Sequence, residues 1–213
     1  MAKSFQGLDK NNGKFYKMNI IQIGANSGRD HVFDFATVHR EKINKIILVE
    51  PVPLLEIKLR ECYESFPQAI FEMIGIVPHH SDEKMIFYHP RVGNYETSAF
   101  DINHLLNHGC PKDIITSTVV PVMTFSELME KHNLLVIDNL FIDAEGLDCS
   151  IVKSIDFKKY TIKNIQFESE HSDGTRNRGK KLEEVVEYLK KNNYDVAHGP
   201  WSDHVAILKS ETA

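Results

Sequence analysis

Short apolar runs alternate along this chain with amphipathic stretches of helical length. Met18 to Ile23 and Lys45 to Val49 are apolar runs of strand length. Asp30 to His39 between them is predicted as a helix opened by Ser27-Gly28. Pro51 to Glu64 follows with Leu54, Leu55, Ile57, Leu59 and Tyr63 at helical spacing. Ala69 to Val77 predicts a third strand and Lys84 to Tyr88 a shorter one, with His79-His80-Ser81-Asp82 as the turn between them. Val119 to Met123 is short and apolar, and Thr124 with Glu127 makes a capping box for a helix over Phe125 to His132. Leu134 to Ile137 and Leu140 to Ile142 flank Asp138-Asn139, and the second of these is the expected fourth core strand. Asp148 to Ser154 then predicts a helix, Ile162 to Glu168 a fifth strand, and Lys180 to Asn192 an amphipathic helix with Leu182, Val185, Val186 and Leu189 on one side. Tyr194 to His198 and His204 to Leu208 close the chain as a hairpin around Gly199-Pro200-Trp201-Ser202-Asp203. Strands alternating with helices before a final hairpin predict a mostly parallel sheet with one antiparallel strand near its end.

One stretch breaks the rhythm. Residues 89–112 contain Pro90, Gly93, Asn94, Gly109 and Pro111, with room for only a short helix over Asp101 to Asn107. A loop-rich insertion carried by a rigid sheet is a natural place for acceptor specificity. The 213 residues fit one domain, 1–213, with this insertion as its acceptor region.

Charge and cysteine content narrow the partners. A net charge of −5 disfavours nucleic acid, which needs a clustered excess of Lys and Arg. The densest basic cluster, Arg176 to Lys181, leads into a predicted helix and reads as a solvated helix entrance or as a grip on an anionic acceptor. Cys62, Cys110 and Cys149 show neither disulfide parity nor metal-ligand spacing. Without an apolar leader segment or a run of 18 apolar residues, the expectation is a cytoplasmic chain with no membrane partner.

The chemistry gathers at the predicted strand ends, where ligands bind in open parallel sheets. Ile21-Gln22-Ile23-Gly24-Ala25-Asn26-Ser27-Gly28 is a strand breaking into a glycine-bearing turn, and Ile46-Ile47-Leu48-Val49-Glu50-Pro51 is a second strand ending in a carboxylate. A dinucleotide fingerprint starting at Gly24 would need glycine at Asn26 and Arg29, and no Gly-Lys-Ser/Thr follows to hold a triphosphate. A turn beside a carboxylate suits a ligand with a ribose but no phosphates, of which S-adenosylmethionine is the commonest. Glu50 would accept hydrogen bonds from the ribose hydroxyls at roughly 1.5 to 3 kcal/mol each.

Two further strand ends carry candidates. Asp143 and Glu145 follow Phe141-Ile142. Their carboxylates could bind the cofactor's amino group, face its sulfonium, orient an acceptor, or cap the Asp148 helix. His171, in Glu168-Ser169-Glu170-His171, could take a proton from an acceptor hydroxyl, and His204 is a further candidate. Asp143 with Glu168 or Glu170 could hold magnesium, but no local spacing demands a metal and none is expected.

Four pieces together resemble the FkbM-type methyltransferases, a branch of the class I enzymes that use S-adenosylmethionine. They are Ile23 to Gly28, Val49-Glu50-Pro51, Val122-Met123-Thr124-Phe125, and Ile142-Asp143-Ala144-Glu145-Gly146-Leu147-Asp148. The resemblance implies a Rossmann-like α/β fold: a seven-stranded, mostly parallel sheet of order 3-2-1-4-5-7-6 with helices on both faces. It also implies methyl transfer, usually to a hydroxyl of a sugar, glycan or other small metabolite. It carries cofactor contact onto Gly24, Ala25, Asn26, Gly28 and Glu50, and the reaction centre onto Asp143 and Glu145. One departure is the apolar Ile74-Gly75-Ile76-Val77, where the family often has Asp or Asn for the adenine amine. Backbone groups or Ser98 would serve here. A non-catalytic nucleoside-binding or partner-binding module, and methyl transfer to nitrogen, are the competing expectations.

Overall fold

The computed structural model describes residues 17–79, 82–93, 95–200 and 202–210. Residues 1–16, His80 and Ser81 of the expected turn, Asn94 of the insertion, Trp201 of the hairpin link and residues 211–213 lie outside the described residues.

The chain opens with β1 (Met18–Ile23), α1 (His31–Val38), β2 (Ile43–Val49), α2 (Glu56–Cys62) and β3 (Ala69–Glu72). Next come β4 (Gly75–Val77), β5 (Lys84–Pro90), α3 (Ile102–Asn107), β6 (Ile115–Thr124) and α4 (Phe125–Lys131). The last third holds β7 (Val136–Ile142), α5 (Asp148–Ser154), β8 (Thr161–Glu168), α6 (Gly179–Lys191), β9 (Tyr194–His198) and β10 (Asp203–Leu208).

The main sheet has the order β3-β2-β1-β7-β8-β10-β9. Counting only its own strands, this is the expected 3-2-1-4-5-7-6. β1 runs parallel to β2 and β7, β7 parallel to β8, and β10 antiparallel to both β8 and β9. The sequence reads as continuous apolar runs because both faces of the sheet are covered. Ile20, Ile46 and Leu48 pack into one core layer, while Ile21, Ile23, Ile47 and Val49 pack into the other.

The structure departs from the sequence reading in four places. Ala69 to Val77 is two strands, because the chain leaves the main sheet after Glu72 and β4 joins a second sheet of order β4-β6-β5. β6 runs for 10 residues, its antiparallel pairing with β5 extending it well before Val119. β7 passes unbroken through Asp138-Asn139. There the buried Asp138 carboxylate accepts from Asn19 N at 2.8 Å and pairs with Lys163 at 2.9 Å, so a charge sits inside the strand with its bonds satisfied. The Pro51–Glu64 segment begins as a 3-10 turn over Pro53–Leu55, and Leu54 and Ile57 face solvent.

The second sheet and the insertion roof one end of the main sheet. Gly75 makes this possible, because a Cβ there would lie 2.4 Å from the Phe100 ring. The small residue lets an aromatic side chain from the insertion lie directly on β4.

A crevice at the strand ends

β1 turns sharply after Ile23, wedged between the ends of β2 and β7. Gly24 N and Ala25 N both donate to Val49 O at 2.9 Å, and Asp143 N donates to Ile23 O at 2.9 Å. A Cβ on Gly24 would lie 1.8 Å from the Asp143 carbonyl oxygen, and its φ of 83° is one that glycine adopts without penalty. Asn26 is also left-handed, at φ 48°, and turns its backbone N–H toward Glu50.

Glu50 is buried and held at both oxygens. Asn26 N donates to Oε2 and Val52 N to Oε1, each at 2.8 Å. Burial pushes its pKa up to about 7, against the lowering effect of the Val52 and Asn26 amides. Each carboxylate oxygen offers two lone-pair directions, so each retains one for a ligand.

The crevice over these residues has a volume of about 360 Å³. Gly24, Ala25, Asn26, Gly28, Glu50, Ser98, Asp143 and Glu145 all line it, and Ile74, Ile76 and Phe100 give it an apolar wall. Ser98 is buried there and donates its hydroxyl to Tyr95 O at 2.6 Å.

The opposite wall is the loop after β7. Its shape comes from Asp148, whose carboxylate folds back to accept from Ala144 N at 2.9 Å and Gly146 N at 3.2 Å. The first residue before α5 is Leu147, which makes no side-chain cap, so Asp143 and Glu145 are not that helix's caps. Asp143 is solvent-exposed, opening into the crevice. It nevertheless lies deep among protein atoms, and the loss of water raises its pKa well above the carboxylate range, with Asp148, Glu145, Asp203 and Asp30 adding to the shift. Glu145, at φ 47°, is raised to about 8, first by burial and then by Asp148, Glu96 and Glu170. Its Oε2 lies 2.7 Å from His104 Nε2.

His171 lies behind Glu145, outside the crevice wall. It packs against His104 and His108 at ring-centroid distances of 5.0 and 4.7 Å, and its Nδ1 accepts from Arg176 N at 2.8 Å. Burial, then His104 and His108, lower its pKa to about 4. His204 is also set back, with Nδ1 2.9 Å from Ser169 Oγ. In the Arg176 to Lys181 cluster, Lys181 pairs with Asp173 at 3.6 Å and Lys180 with Glu184 at 3.9 Å, as suits a solvated helix entrance.

Among the lining residues that escaped the sequence reading are Gln22, Asp30, Gln166 and Asp203. Gln22 Nε2 donates to Asp30 Oδ2 and Gln166 Nε2 to Asp203 Oδ2, both at 2.6 Å. The signal was a lone glutamine inside an apolar run, Ile21-Gln22-Ile23 and Ile165-Gln166-Phe167. Strand register aligns the two glutamines across Phe141.

The sequence matches the methyltransferase FkbM domain over residues 22–196. No curated protein matches the chain. Among solved structures, the FkbM methyltransferase of Methylobacillus flagellatus KT is similar with a TM-score of 0.54 at 12% identity, over 90% of this chain and 43% of its own. This chain thus spans less than half the length of that protein. The methyltransferase PaMTH1 of Podospora anserina, bound to S-adenosylhomocysteine, is similar with a TM-score of 0.48 at 15% identity over 90% of this chain and 72% of its own. Aeropyrum pernix fibrillarin, with natively bound S-adenosyl-L-methionine, is similar with a TM-score of 0.42 at 11% identity over 90% of this chain and 66% of its own. Among the described residues, no helix is long and apolar enough to cross a membrane. Because the domain match takes in the glycine turn, Glu50 and the Asp143 loop alike, the chain belongs to the FkbM family of S-adenosylmethionine-dependent methyltransferases.

Proposed function

We propose that this chain binds S-adenosylmethionine in the crevice and methylates a hydroxyl of a sugar, glycan or other small hydroxylated metabolite. The observation that carries the reading is Glu50, a buried carboxylate pinned by two backbone amides and keeping one acceptor direction on each oxygen. Such a group is preorganised for a diol.

The residues present fit the cofactor. Glu50 receives the ribose hydroxyls, and the bend at Gly24 leaves backbone in place of a side chain beside the methionine end. Ile74, Ile76 and Phe100 form a wall for adenine, with Ser98 Oγ as a polar contact. Gln22 lines the crevice and has a buried Oε1 with no hydrogen-bond partner among the described residues, an acceptor that the cofactor's ammonium group satisfies.

When bound, S-adenosylmethionine supplies a methyl group activated by its sulfonium. The chain's own part is to exclude water and to hold the acceptor oxygen in line, where positioning supplies most of the rate. Asp143, the carboxyl that opens into the crevice from the end of β7, would in its ionised form take the acceptor's proton as the methyl carbon's bond to sulfur breaks and its bond to the acceptor oxygen forms, and its raised pKa makes that carboxylate a stronger base. Glu145 fixes the adjoining wall through His104. His171 braces that wall from behind.

Isothermal titration with S-adenosylmethionine tests the first half: wild type binds and Glu50→Ala does not. Methyl release over a panel of glycans and small polyols tests the second, with Asp143→Asn binding the cofactor but turning over at least about a hundredfold more slowly. A wild type that fails to bind the cofactor rejects the reading outright.

A further inference from the structure

Beside the crevice, three imidazoles and a carboxylate converge from three separate elements. His104 and His108 stand four residues apart, placing both rings on one side of α3 and its end. His171 comes from the turn after β8 and Glu145 from the loop after β7. One ligand atom of each of the four lies within 4.8 Å of all the others. The three rings meet at centroid distances of 4.6, 4.7 and 5.0 Å. His108 Nε2 is buried with no hydrogen-bond partner among the described residues.

We propose that His104, His108, His171 and Glu145 form a binding site for one divalent first-row metal ion of the zinc class. Three nitrogens and one oxygen are the borderline donors that zinc prefers, whereas magnesium and calcium demand oxygen-rich shells. A tetrahedral zinc with bonds near 2.0 to 2.1 Å sets its ligands roughly 3.4 Å apart, so the cluster reaches that geometry by side-chain rotations of about 1 Å. Four protein ligands close the coordination sphere. The ion therefore acts as a clasp, fixing the insertion that carries α3 to the ends of β7 and β8, beside the acceptor wall. It stands apart from the methyl-transfer reading, because metal content and cofactor binding are measured separately.

The geometry adds a consequence. In the structure His171 Nδ1 accepts from the Arg176 amide. If His171 ligates through Nδ1, that lone pair goes to the metal. If it ligates through Nε2, the neutral ring carries its proton on Nδ1. Either way the Arg176 amide loses its acceptor, so metal binding must move the 171–176 turn.

The full chain, stripped with chelator, is titrated with Co²⁺ followed by visible spectroscopy, then with Zn²⁺ in competition. We expect one equivalent of cobalt with the intense d–d bands of a four-coordinate site, displaced by one equivalent of zinc. Binding should weaken at least a hundredfold in His104→Ala and in His108→Ala, and remain unchanged in the distant His39→Ala. His108→Ala should still bind S-adenosylmethionine, which shows that the variant is folded. Amide hydrogen exchange should rise at Arg176 on metal loading. Absence of a stoichiometric site in wild type overturns the proposal whatever the variants do, as does an unchanged cobalt spectrum in folded His108→Ala.

Discussion

The crevice has two ends, and they are built differently. At the β1–β2 end one carboxyl, Glu50, meets two backbone amides and apolar neighbours, and burial alone accounts for its raised pKa. At the β7–β8 end Asp143, Glu145, Asp148 and Glu168 crowd together. Asp148 is held by two amides, whereas Glu168 keeps a buried Oε2 with no hydrogen-bond partner among the described residues and is raised to about 10 by burial and then by Asp148, Asp143, Glu145 and Asp203. The first end is finished before any ligand arrives, as suits recognition of a neutral diol. The second holds carboxyls that burial and mutual repulsion keep largely protonated, and a bound positive group such as a sulfonium or an ammonium would favour their ionised forms. Rigid binding at one end and crowded, readily protonated carboxyls at the other suit a site that grips a constant cofactor handle and leaves the chemistry to the far end.

Gly24 couples the two ends, and its replacement should have the largest effect. Gly24→Ala places a methyl group 1.8 Å from the Asp143 carbonyl oxygen at a left-handed φ. Relief requires β1 and β7 to part, so we expect a loss of about 3 kcal/mol or more in urea denaturation, with cofactor binding abolished. Near-normal stability would mean that the ends are not locked together at this point.

Glu50 isolates the finished end. Glu50→Ala strands two amides and, on the proposed reading, removes two ribose contacts, so it should weaken S-adenosylmethionine binding by about 3 kcal/mol or more, over a hundredfold by titration calorimetry. Glu50→Gln is no conservative rescue, because a carboxamide turns an N–H toward one of the two amide donors that the carboxylate satisfies. The pH dependence follows from the raised pKa. A carboxyl whose folded pKa is about 7 against an ordinary 4.5 binds more protons folded than unfolded, so its stabilising contribution is full below 4.5 and is lost as pH rises toward 7. Ribose hydroxyls favour the ionised form. Cofactor affinity should therefore climb up to about tenfold per unit toward pH 7 and level off above it. A flat profile in wild type would show that Glu50 does not face the ribose.

How much of this contrast the sequence displayed depends on where each end's geometry comes from. The Glu50 end is local: an apolar run, a glycine turn and a terminal carboxylate are each contiguous, whereas the strand order came from the family resemblance and not from spacing. The capping box at Thr124 was legible for the same reason, and both its bonds form. The other end is assembled from distant pieces. Nothing local announces that His104 lies 2.7 Å from Glu145, and the four-residue spacing of His104 and His108 went unread in the sequence. The break after Glu72 was hidden because Ile74-Gly75-Ile76-Val77 is as apolar as the strand before it. Only its partner, β6, shows that it belongs to a second sheet.

Asp148 tests whether the carboxyl-rich end depends on a scaffold of its own. Its carboxylate holds the Ala144 and Gly146 amides and so sets where Asp143 points. Asp148→Asn loses one of those two acceptor contacts, because a carboxamide brings a single acceptor oxygen. We expect about 1 to 3 kcal/mol of lost stability and a fall in turnover with cofactor affinity nearly intact. Equal losses of affinity and turnover would show the two ends to be one cooperative unit.

Ser98 should give the smallest effect and the finest discrimination. Its hydroxyl proton is committed to Tyr95 O at 2.6 Å, leaving the oxygen as an acceptor in an otherwise apolar wall. Ser98→Ala should therefore reduce S-adenosylmethionine affinity by less than tenfold, about one neutral hydrogen bond, with turnover at saturation unchanged. Repeating the titration with an analogue lacking the adenine amino group separates the causes. If Ser98 meets that amine, wild type and variant bind the analogue equally. If the deficit persists, the serine acts by holding the insertion in place, and adenine recognition passes to backbone groups along the same wall.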